Sequence, residues 1–562
     1  MDNNKKESLI DMERSASEQS HSIRLGRRYR ANRIEAQYDA IIIGSGPSGL
    51  CCASCLSRLG WKVAVLEQHY TAGGFSHVFD RKGYEWDVGL HYVGEMGSRK
   101  YLVRRLFDFV TDGRLKWAAQ GDVYDRIYVG QEYFDFPKGE KKLKAKLLAE
   151  FPNDHEAIRQ YFVILRQMRK SITRLSMLKL LPSIFYRIAR RIPWVIHPDS
   201  FLSTKTVLDR LTDNTRLKAI LAAQWGNYGL TPDASSFLIH SVVANHYLGG
   251  GFYPVGGSRQ IAAQQIPGIR QAGGEVFTYA QVKQIDIEDN RAIGVTMEDG
   301  KQIRAPVVIS AAGVANTVAN MLPADVVRHF GWSEQLKKVR SSGSYICLYI
   351  GLNQSDQQLQ LPTHNIWVYA NEKYQQNLDH YSADQNSEFP LVYISFPSAK
   401  DPQWQERYPG KSTIEVIAPD LFSRYQQWHG TRWGQRGEDY EQLKQRLALR
   451  LLEQVYQKLP HIKEAVDYWE LSTPLSVEYF SQAPTGELYG LEASAERFKQ
   501  SWLRPKTPIK GFYLSGQDIL TCGIAGAGVS GMLTAMSVLG FSGTGKLTRR
   551  MKQALISQAF DT

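Results

Sequence analysis

A unit of about 30 residues near the start of the chain limits what the chain can fold into. An apolar run over 38–43 leads into the glycines Gly44, Gly46 and Gly49, and a stretch of small residues follows them. A second apolar run then ends at Glu67. This order predicts a strand, a tight turn, a helix whose N-terminus faces phosphate, and a strand whose terminal acid binds ribose. The chain therefore contains an α/β dinucleotide-binding unit of the Rossmann type.

Later features favour FAD over NAD as the dinucleotide. A second glycine pair, Gly73-Gly74, comes soon after the acid and predicts backbone that lies along an extended cofactor. Near the C-terminus, residues 516–518 can bring a carboxylate to the ribityl or pyrophosphate region. The glycine pattern over 526–531 precedes no strand ending in an acid, so we interpret it as a helix N-terminus that faces the flavin. The residues predicted to bind FAD are Gly44, Ser45, Gly46, Pro47, Ser48, Gly49, Glu67, Gln68, Gly73, Gly74, Phe75, Ser76, Val282, Gly516, Asp518, Gly526 and Ala527.

The length of 562 residues exceeds one ordinary hydrophobic core, which predicts two domains or a nucleotide-binding fold with large insertions. We expect an α/β fold in which a Rossmann-type FAD-binding domain carries an inserted mixed α+β substrate domain. The predicted boundaries are 1–37 for a flexible basic arm, 38–137, 245–330 and 498–545 for the FAD-binding domain, and 138–244 and 331–497 for the substrate domain.

The segment 157–198 carries nine cations and no Asp or Glu, within a chain of net charge +12. Its cations alternate with aliphatic residues and Trp194, which is typical of a helix lying on an anionic membrane surface. Core helices with a solvated basic side are the alternative. Nucleic acid is disfavoured because few aromatic residues stand between the cations. Since no uninterrupted apolar run approaches the roughly 20 residues that cross a bilayer, we expect a cytoplasmic, peripherally membrane-associated protein.

Other common chemistries are disfavoured by the sequence. Five cysteines are too few and too clustered for a disulfide framework, which indicates a reducing compartment. Cys52 and Cys55 match C-x-x-C, but they fall inside the first helix, where small side chains serve close packing. The thirteen histidines show no metal-ligand spacing, so no metal is predicted. Neither a P-loop nor a G-x-S-x-G motif is present, and the chemistry is assigned to the flavin.

Several motifs together resemble one family of flavoproteins. These segments are 43–46, 66–69, 72–74, 87–94, 253–258, 395–402 and 514–518. They are similar to the retinol saturase and carotenoid isomerase branch of the phytoene-desaturase-like flavoproteins, and closer to the saturases. The resemblance covers roughly residues 38–539. It implies the fold of the two-dinucleotide-binding-domain flavoproteins, which is the amine-oxidase and phytoene-desaturase-like type, together with FAD, an apolar polyene lipid substrate and membrane attachment.

The resemblance also implies a reaction in which hydride passes between FAD and one carbon of an alkene while a proton joins or leaves its neighbour. His91 and Tyr92 are the predicted catalytic residues for that proton, and the alternative is that both merely line the flavin pocket. Saturation is favoured, with desaturation and isomerisation as alternatives. A flavin-containing lipid-binding protein without turnover is the alternative from another class. Because no nicotinamide domain is visible, we expect an external electron donor or acceptor.

Overall fold

The structure is a computed structural model that describes residues 23–560, with side chains described for 23–554. Its strands, in chain order, are β1 (Arg27–Arg28), β2 (Ala40–Ile43), β3 (Val63–Leu66), β4 (Val78–Arg81), β5 (Tyr84–Asp87), β6 (Trp117–Ala119), β7 (Val123–Val129), β8 (Glu132–Pro137), β9 (Phe252–Pro254), β10 (Glu275–Thr278), β11 (Val282–Glu288), β12 (Arg291–Met297), β13 (Gln302–Arg304), β14 (Val308–Ser310), β15 (Ser344–Leu352), β16 (Asn365–Tyr369), β17 (Val392–Ser395), β18 (Ser412–Asp420), β19 (Val466–Ser472) and β20 (Phe512–Leu514).

Helices fill the connections between these strands. The α-helices are Pro47–Ser57, Leu102–Val110, Glu140–Glu150, His155–Leu178, Ser183–Ala189, Thr204–Asp209, Thr215–Ala222, Phe237–Tyr247, Gln260–Ala263, Ile266–Gln271, Val314–Asn316, Ala324–His329, Trp332–Leu336, Tyr374–Ala383, Pro397–Lys400, Trp404–Arg407, Glu438–Lys458, Pro474–Ser481, Ala495–Lys499 and Gly523–Phe560.

A six-stranded parallel sheet, in the order β1-β10-β3-β2-β14-β20, forms the nucleotide-binding half. Strands β2 and β3 are buried along their whole length, which explains their continuous apolar sequences. The helix Pro47–Ser57 is also buried and packs against the helix that begins at Gly523. A Cβ atom on Gly531 would lie 2.2 Å from the carbonyl oxygen of Ser48, so glycine permits this close contact. The Rossmann-type prediction is confirmed.

The flexible-arm prediction is wrong for residues 23–37. Strand β1 pairs in parallel with β10, and the backbone N–H of Leu25 donates to Thr71 Oγ1 at 2.9 Å. The side chains of Leu25 and Ile34 are buried. Burial of these two apolar residues holds the segment against the protein, although its arginines predicted a solvated arm. The rest of the predicted arm, 1–22, lies outside the described residues.

A seven-stranded mixed sheet, in the order β19-β15-β18-β17-β16-β7-β8, forms the other half. Strands β7 and β8, residues 123–137, belong to this sheet because β16 pairs in parallel with β7. The predicted boundary at 137 is therefore too late, since strand pairing between distant segments leaves no local signal. The helices between 140 and 247 pack on one face of the sheet, and Glu438–Lys458 packs against the core of the other face.

Within the described part of the chain, one helix is long and apolar enough to cross a membrane by length and composition, Gly523–Ala554. The mean hydropathy of its most apolar window is 1.6, and 44% of that window is buried in the protein. The sequence predicted no such segment because only uninterrupted apolar runs were considered. Glycine and serine residues interrupt the apolar residues of this helix. A partly buried core helix satisfies the same criteria, so this helix is weak evidence for membrane association.

Candidate functional site

A cavity of about 840 Å³ lies between the two large sheets. One end is lined by residues that directly follow parallel strands, among them Gly44 after β2, Glu67 after β3 and Gly516 near the end of β20. Ligands of open α/β sheets bind at such carboxyl ends. We call this part the nucleotide end.

The first glycine turn leaves room at the nucleotide end. Gly46 has φ −62°, which any residue can adopt, and a Cβ atom there would meet nothing within 4 Å. Its lack of a side chain therefore keeps the cavity open and does not relieve backbone strain. Gly49 has another role, because its Cβ would lie 2.0 Å from the carbonyl oxygen of Gly44. Glycine at that position lets the helix pack on the turn.

Hydrogen bonds hold the Glu67 carboxylate at the cavity wall. Its Oε2 accepts from the backbone N–H of Ser45 at 2.9 Å and from Ser45 Oγ at 2.7 Å, and its Oε1 accepts from the N–H of His69 at 2.8 Å. Ser45 Oγ also accepts from the N–H of Gly73 at 3.1 Å. Ser45 thus orients the acid and the second glycine turn from behind the wall.

Most residues predicted to bind FAD line the cavity. Those on the wall are Gly44, Gly46, Pro47, Ser48, Glu67, Gln68, Gly74, Phe75, Val282, Gly516, Asp518 and Ala527. The remaining five, which are absent from the wall, are Ser45, Gly49, Gly73, Ser76 and Gly526. Sequence reasoning missed Ala280 and the turn 311–313, which follow β10 and β14 and line the same end. The apolar strands before them were the available signal.

Asp518 joins two loops at the cavity wall. Its Oδ1 accepts from the N–H of Leu491 and its Oδ2 from the N–H of Val314, each at 2.8 Å. Both oxygens therefore bind backbone groups of the wall, whereas the sequence predicted that this carboxylate binds the cofactor.

The other end of the cavity is lined by one row of directly paired residues that runs across the seven-stranded sheet. Ser472, Cys347, Ile417, Tyr393 and Trp367 stand side by side on neighbouring strands, and all line the cavity. This row is the floor of what we call the substrate end. Its three central side chains are apolar or aromatic, which suits an apolar ligand.

His91 lines the cavity and pairs with a glutamate that sequence reasoning missed. His91 Nδ1 lies 2.8 Å from Oε2 of Glu415, a fully buried residue of β18 on the same sheet face as Ile417. Burial lowers the pKa of His91 to about 3 and raises the pKa of Glu415 well above its ordinary value. Desolvation therefore favours the neutral form of both side chains. An isolated glutamate on an alternating strand gives no signal in the sequence.

Lys400 supports His91 from behind. Its Nζ donates to the carbonyl oxygen of His91 at 2.9 Å, to Ser395 Oγ at 2.7 Å and to Asn365 Oδ1. Burial lowers the pKa of Lys400 to about 7. This lysine lies in the motif 395–402, which the sequence analysis noted without assigning it a role.

The structure separates the two predicted catalytic residues. Tyr92 does not line the cavity, its hydroxyl donates to Asp125 Oδ2 at 3.0 Å, and its ring stacks on Tyr247 at 4.2 Å. His91 faces the cavity and Tyr92 faces the hydrophobic core beside it, so only one of the pair reaches the cavity. The catalytic prediction for Tyr92 is therefore wrong, and its contacts are those of a buried core residue.

The thiols of the predicted C-x-x-C lie in the core. Cys52 and Cys55 are fully buried in the helix Pro47–Ser57, and burial raises the pKa of both. Among residues 23–560, no group of three or more His, Cys, Asp or Glu is arranged to hold a metal ion.

Comparison with known proteins identifies the family. Residues 47–539 match the model described as flavin containing amine oxidoreductase. The chain belongs to this family. It is therefore an FAD-dependent oxidoreductase, as the nucleotide end predicts.

Two curated relatives match nearly the whole chain. The all-trans-retinol 13,14-reductase of Danio rerio is 35% identical over 91% of this chain and 87% of its own length. A second protein of Danio rerio, named inactive all-trans-retinol 13,14-reductase, is 32% identical over 92% and 88%. Among solved structures, an oxidoreductase from Methanosarcina mazei is 14% identical with a TM-score of 0.59, covering 88% of this chain and 99% of its own. That likeness shows the shared fold.

Proposed function

We propose that this chain uses FAD to saturate a carbon-carbon double bond of an apolar polyene, most similar in chemistry to a retinoid. The observation that carries the proposal is the joining of a dinucleotide-binding wall and an apolar, aromatic floor in one cavity. The 35% identity to a retinol 13,14-reductase supports this choice of substrate class and of reduction.

The residues of the nucleotide end fit FAD. The space beside Gly46 and Gly516, where a Cβ atom would meet nothing within 4 Å, suits a cofactor that lies against backbone. The first amides of the helix Pro47–Ser57 would hold the pyrophosphate, and Glu67 would hold the ribose hydroxyls. When bound, FAD supplies the hydride for the reduction. The chain supplies binding, an apolar environment and the proton.

Membrane attachment is proposed for the segment 183–194. The helix Ser183–Ala189 exposes about half of Ile184, Phe185 and Ile188, and Trp194 is 75% exposed. Arg187, Arg190 and Arg191 stand among these side chains. Apolar residues that meet water beside cations suit an anionic lipid surface. By contrast, much of the preceding helix, His155–Leu178, is core, so the core-helix alternative applies to that part.

We further propose a cytoplasmic location on that membrane surface and an external electron donor. The sequence offers no second dinucleotide unit of strand, glycine turn and acid. Electrons would therefore reach the flavin from a partner or a diffusible reductant.

An anaerobic single-turnover experiment tests the function. The purified protein is reduced with dithionite, all-trans-retinol is added, and flavin absorbance is followed while the extracted lipid is analysed by mass. Flavin reoxidation with a mass gain of two hydrogens is the expected result, and boiled protein with free FAD is the control.

Other results would replace the proposal. An unchanged mass with a shifted isomer profile would indicate an isomerase, and flavin reduction by a saturated substrate would indicate a desaturase. A flavin that no polyene reoxidises would favour a protein without turnover, as the name of the inactive relative illustrates.

A further inference from the structure

We propose that Glu415 and His91 form a proton relay that delivers the proton for alkene reduction, and that Lys400 is a positioning residue for His91. The inference rests on the proposed function and adds the origin of the second hydrogen. His91 alone was the sequence-based candidate for the proton. The relay adds a donor behind it that lies 324 positions further along the chain.

The geometry defines a route for the proton from Glu415 through His91 to the cavity. Of the two imidazole nitrogens, Nδ1 faces Glu415 Oε2 at 2.8 Å, so Nε2 is the nitrogen available to the cavity that His91 lines. Glu415 Oε1 accepts from the backbone N–H of Asp87 at 2.7 Å, which leaves Oε2 as the oxygen that carries the proton. The Tyr393 ring packs edge-on against the imidazole, with the two ring centroids 5.4 Å apart.

The surroundings keep this proton on Glu415. The carboxyl is fully buried, and Asp87, itself an acid whose pKa burial raises to about 7, lies next to it. An ionised carboxylate would orient a histidine as a fixed anion, but desolvation opposes that state here. Asp87 and Lys400 act on Glu415 and His91 from neighbouring elements, and Glu415 acts in turn on Tyr253, Cys347, Tyr349 and Tyr393. Lys400 is the only cation among these six groups.

The step balances in atoms and charge. Bound FAD in its reduced form would supply the hydride to one alkene carbon, and the neighbouring carbon would take the proton of His91 Nε2 with the electron pair of the double bond. Nδ1 takes the proton of Glu415 at the same time. The substrate gains two hydrogens, FAD is oxidised by two electrons, and Glu415 becomes a carboxylate beside the Lys400 ammonium. Solvent then protonates His91 Nε2 as Nδ1 returns its proton to Glu415, which restores the starting tautomer and the protonated carboxyl group.

The relay removes a difficulty of the histidine mechanism. A histidine whose pKa is lowered to about 3 cannot store a proton as imidazolium at pH 7. In the relay, His91 stays neutral before and after the step and only exchanges its tautomer. Lys400 fixes the backbone carbonyl of His91 at 2.9 Å, which keeps Nδ1 in line with Glu415.

The variant Glu415→Gln tests the relay, because glutamine keeps the shape and can donate a hydrogen bond but holds no transferable proton. Glu275→Gln is the control: Glu275 is a partly buried residue of β10 that accepts from Arg270 Nε and from the backbone N–H of Val276, and it does not line the cavity. We expect both variants to retain FAD and retinol binding. Flavin reoxidation by retinol should fall about 100-fold or more in Glu415→Gln and remain near wild type in Glu275→Gln.

Infrared spectroscopy gives a readout independent of turnover. The wild-type spectrum minus the Glu415→Gln spectrum should contain the carbonyl stretch of a protonated carboxyl group at pH 8, without any substrate. His91→Phe should shift that band, because the hydrogen bond to Nδ1 is lost. This second variant also serves if Glu415→Gln does not fold, and it should show the same loss of rate.

Failure of the relay and failure of the function give different results. A wild-type reoxidation rate in Glu415→Gln, or no carboxyl band, would overturn the relay while the function stands. A wild-type chain that saturates no polyene would overturn the function itself.

Discussion

The two ends of the cavity recognise their ligands by different means. At the nucleotide end, the wall is mostly backbone and small residues at the ends of parallel strands, such as Gly46 and Gly516. At the substrate end, the wall is a row of side chains from several strands, with Ile417 and Tyr393 at its centre. A cofactor with phosphates needs amides and space, whereas an apolar ligand needs contact area and one proton donor.

This contrast predicts that the two ends respond separately to substitution. Changes at the nucleotide end should remove the cofactor, and changes at the substrate end should leave a yellow protein with altered substrate handling.

The largest effect is expected for Gly46→Val. Valine fits the backbone conformation of Gly46, so its side chain would act only by entering the space that the pyrophosphate would occupy. Bound FAD, measured as flavin absorbance per protein, should fall almost to zero. Gly545→Val is the control, since that glycine is exposed on a helix and also faces open space. A yellow Gly46→Val protein with normal stoichiometry would place the pyrophosphate elsewhere.

The same contrast explains what could be predicted from the sequence. The unit over 38–67 is contiguous, so its spacing alone indicated the sheet, the turn and the binding residues around Gly46 and Glu67. Glu415 and Lys400 reach His91 only through pairing of distant strands, and no local period records that. For the same reason, the membership of β7 and β8 in the second sheet was missed.

The next effect concerns the exposed helix Ser183–Ala189, which belongs to the substrate half. Arg187→Glu together with Arg191→Glu should weaken the affinity for anionic liposomes about 100-fold, because each cation near such a surface contributes about 1 kcal/mol. Sedimentation with liposomes measures this affinity. Added salt should weaken wild-type binding in the same direction. FAD content should not change, which would separate this surface from the nucleotide end.

The control for this surface is the charge-matched pair Lys283→Glu and Arg291→Glu, which are exposed on the strands β11 and β12. Equal loss of liposome binding in both double variants would mean that net charge alone causes the effect, and it would contradict the proposed membrane surface.

A third effect is expected in the pH dependence of protein stability, and it concerns a buried histidine among the helices of the substrate half. His240 is buried with Nε2 at 2.9 Å from the Tyr161 hydroxyl, and burial lowers its pKa to about 3. Below pH 6.5 the unfolded chain binds a proton at this histidine while the folded chain does not, so stability falls as the pH falls towards 3. At pH 5 the loss is about 2 kcal/mol.

His240→Phe should therefore lose less stability than wild type between pH 7.5 and pH 5, by about that amount, in urea unfolding. The variant His380→Gln, at an exposed position, is the control. An unchanged pH dependence in His240→Phe would mean that His240 is already protonated in the folded chain.

The smallest effect is expected for Ile417→Trp at the substrate end. Ile417 stands between Cys347 and Tyr393 and is only partly buried by the protein, so an indole there would extend into the cavity. We expect full FAD content and about tenfold weaker retinol binding, a change of about 1.4 kcal/mol, measured by the retinol-induced change in flavin absorbance. Ile417→Leu conserves volume and should bind like wild type. If Ile417→Trp instead lost FAD, the isoalloxazine would extend over the floor row, and the cofactor would share the substrate end.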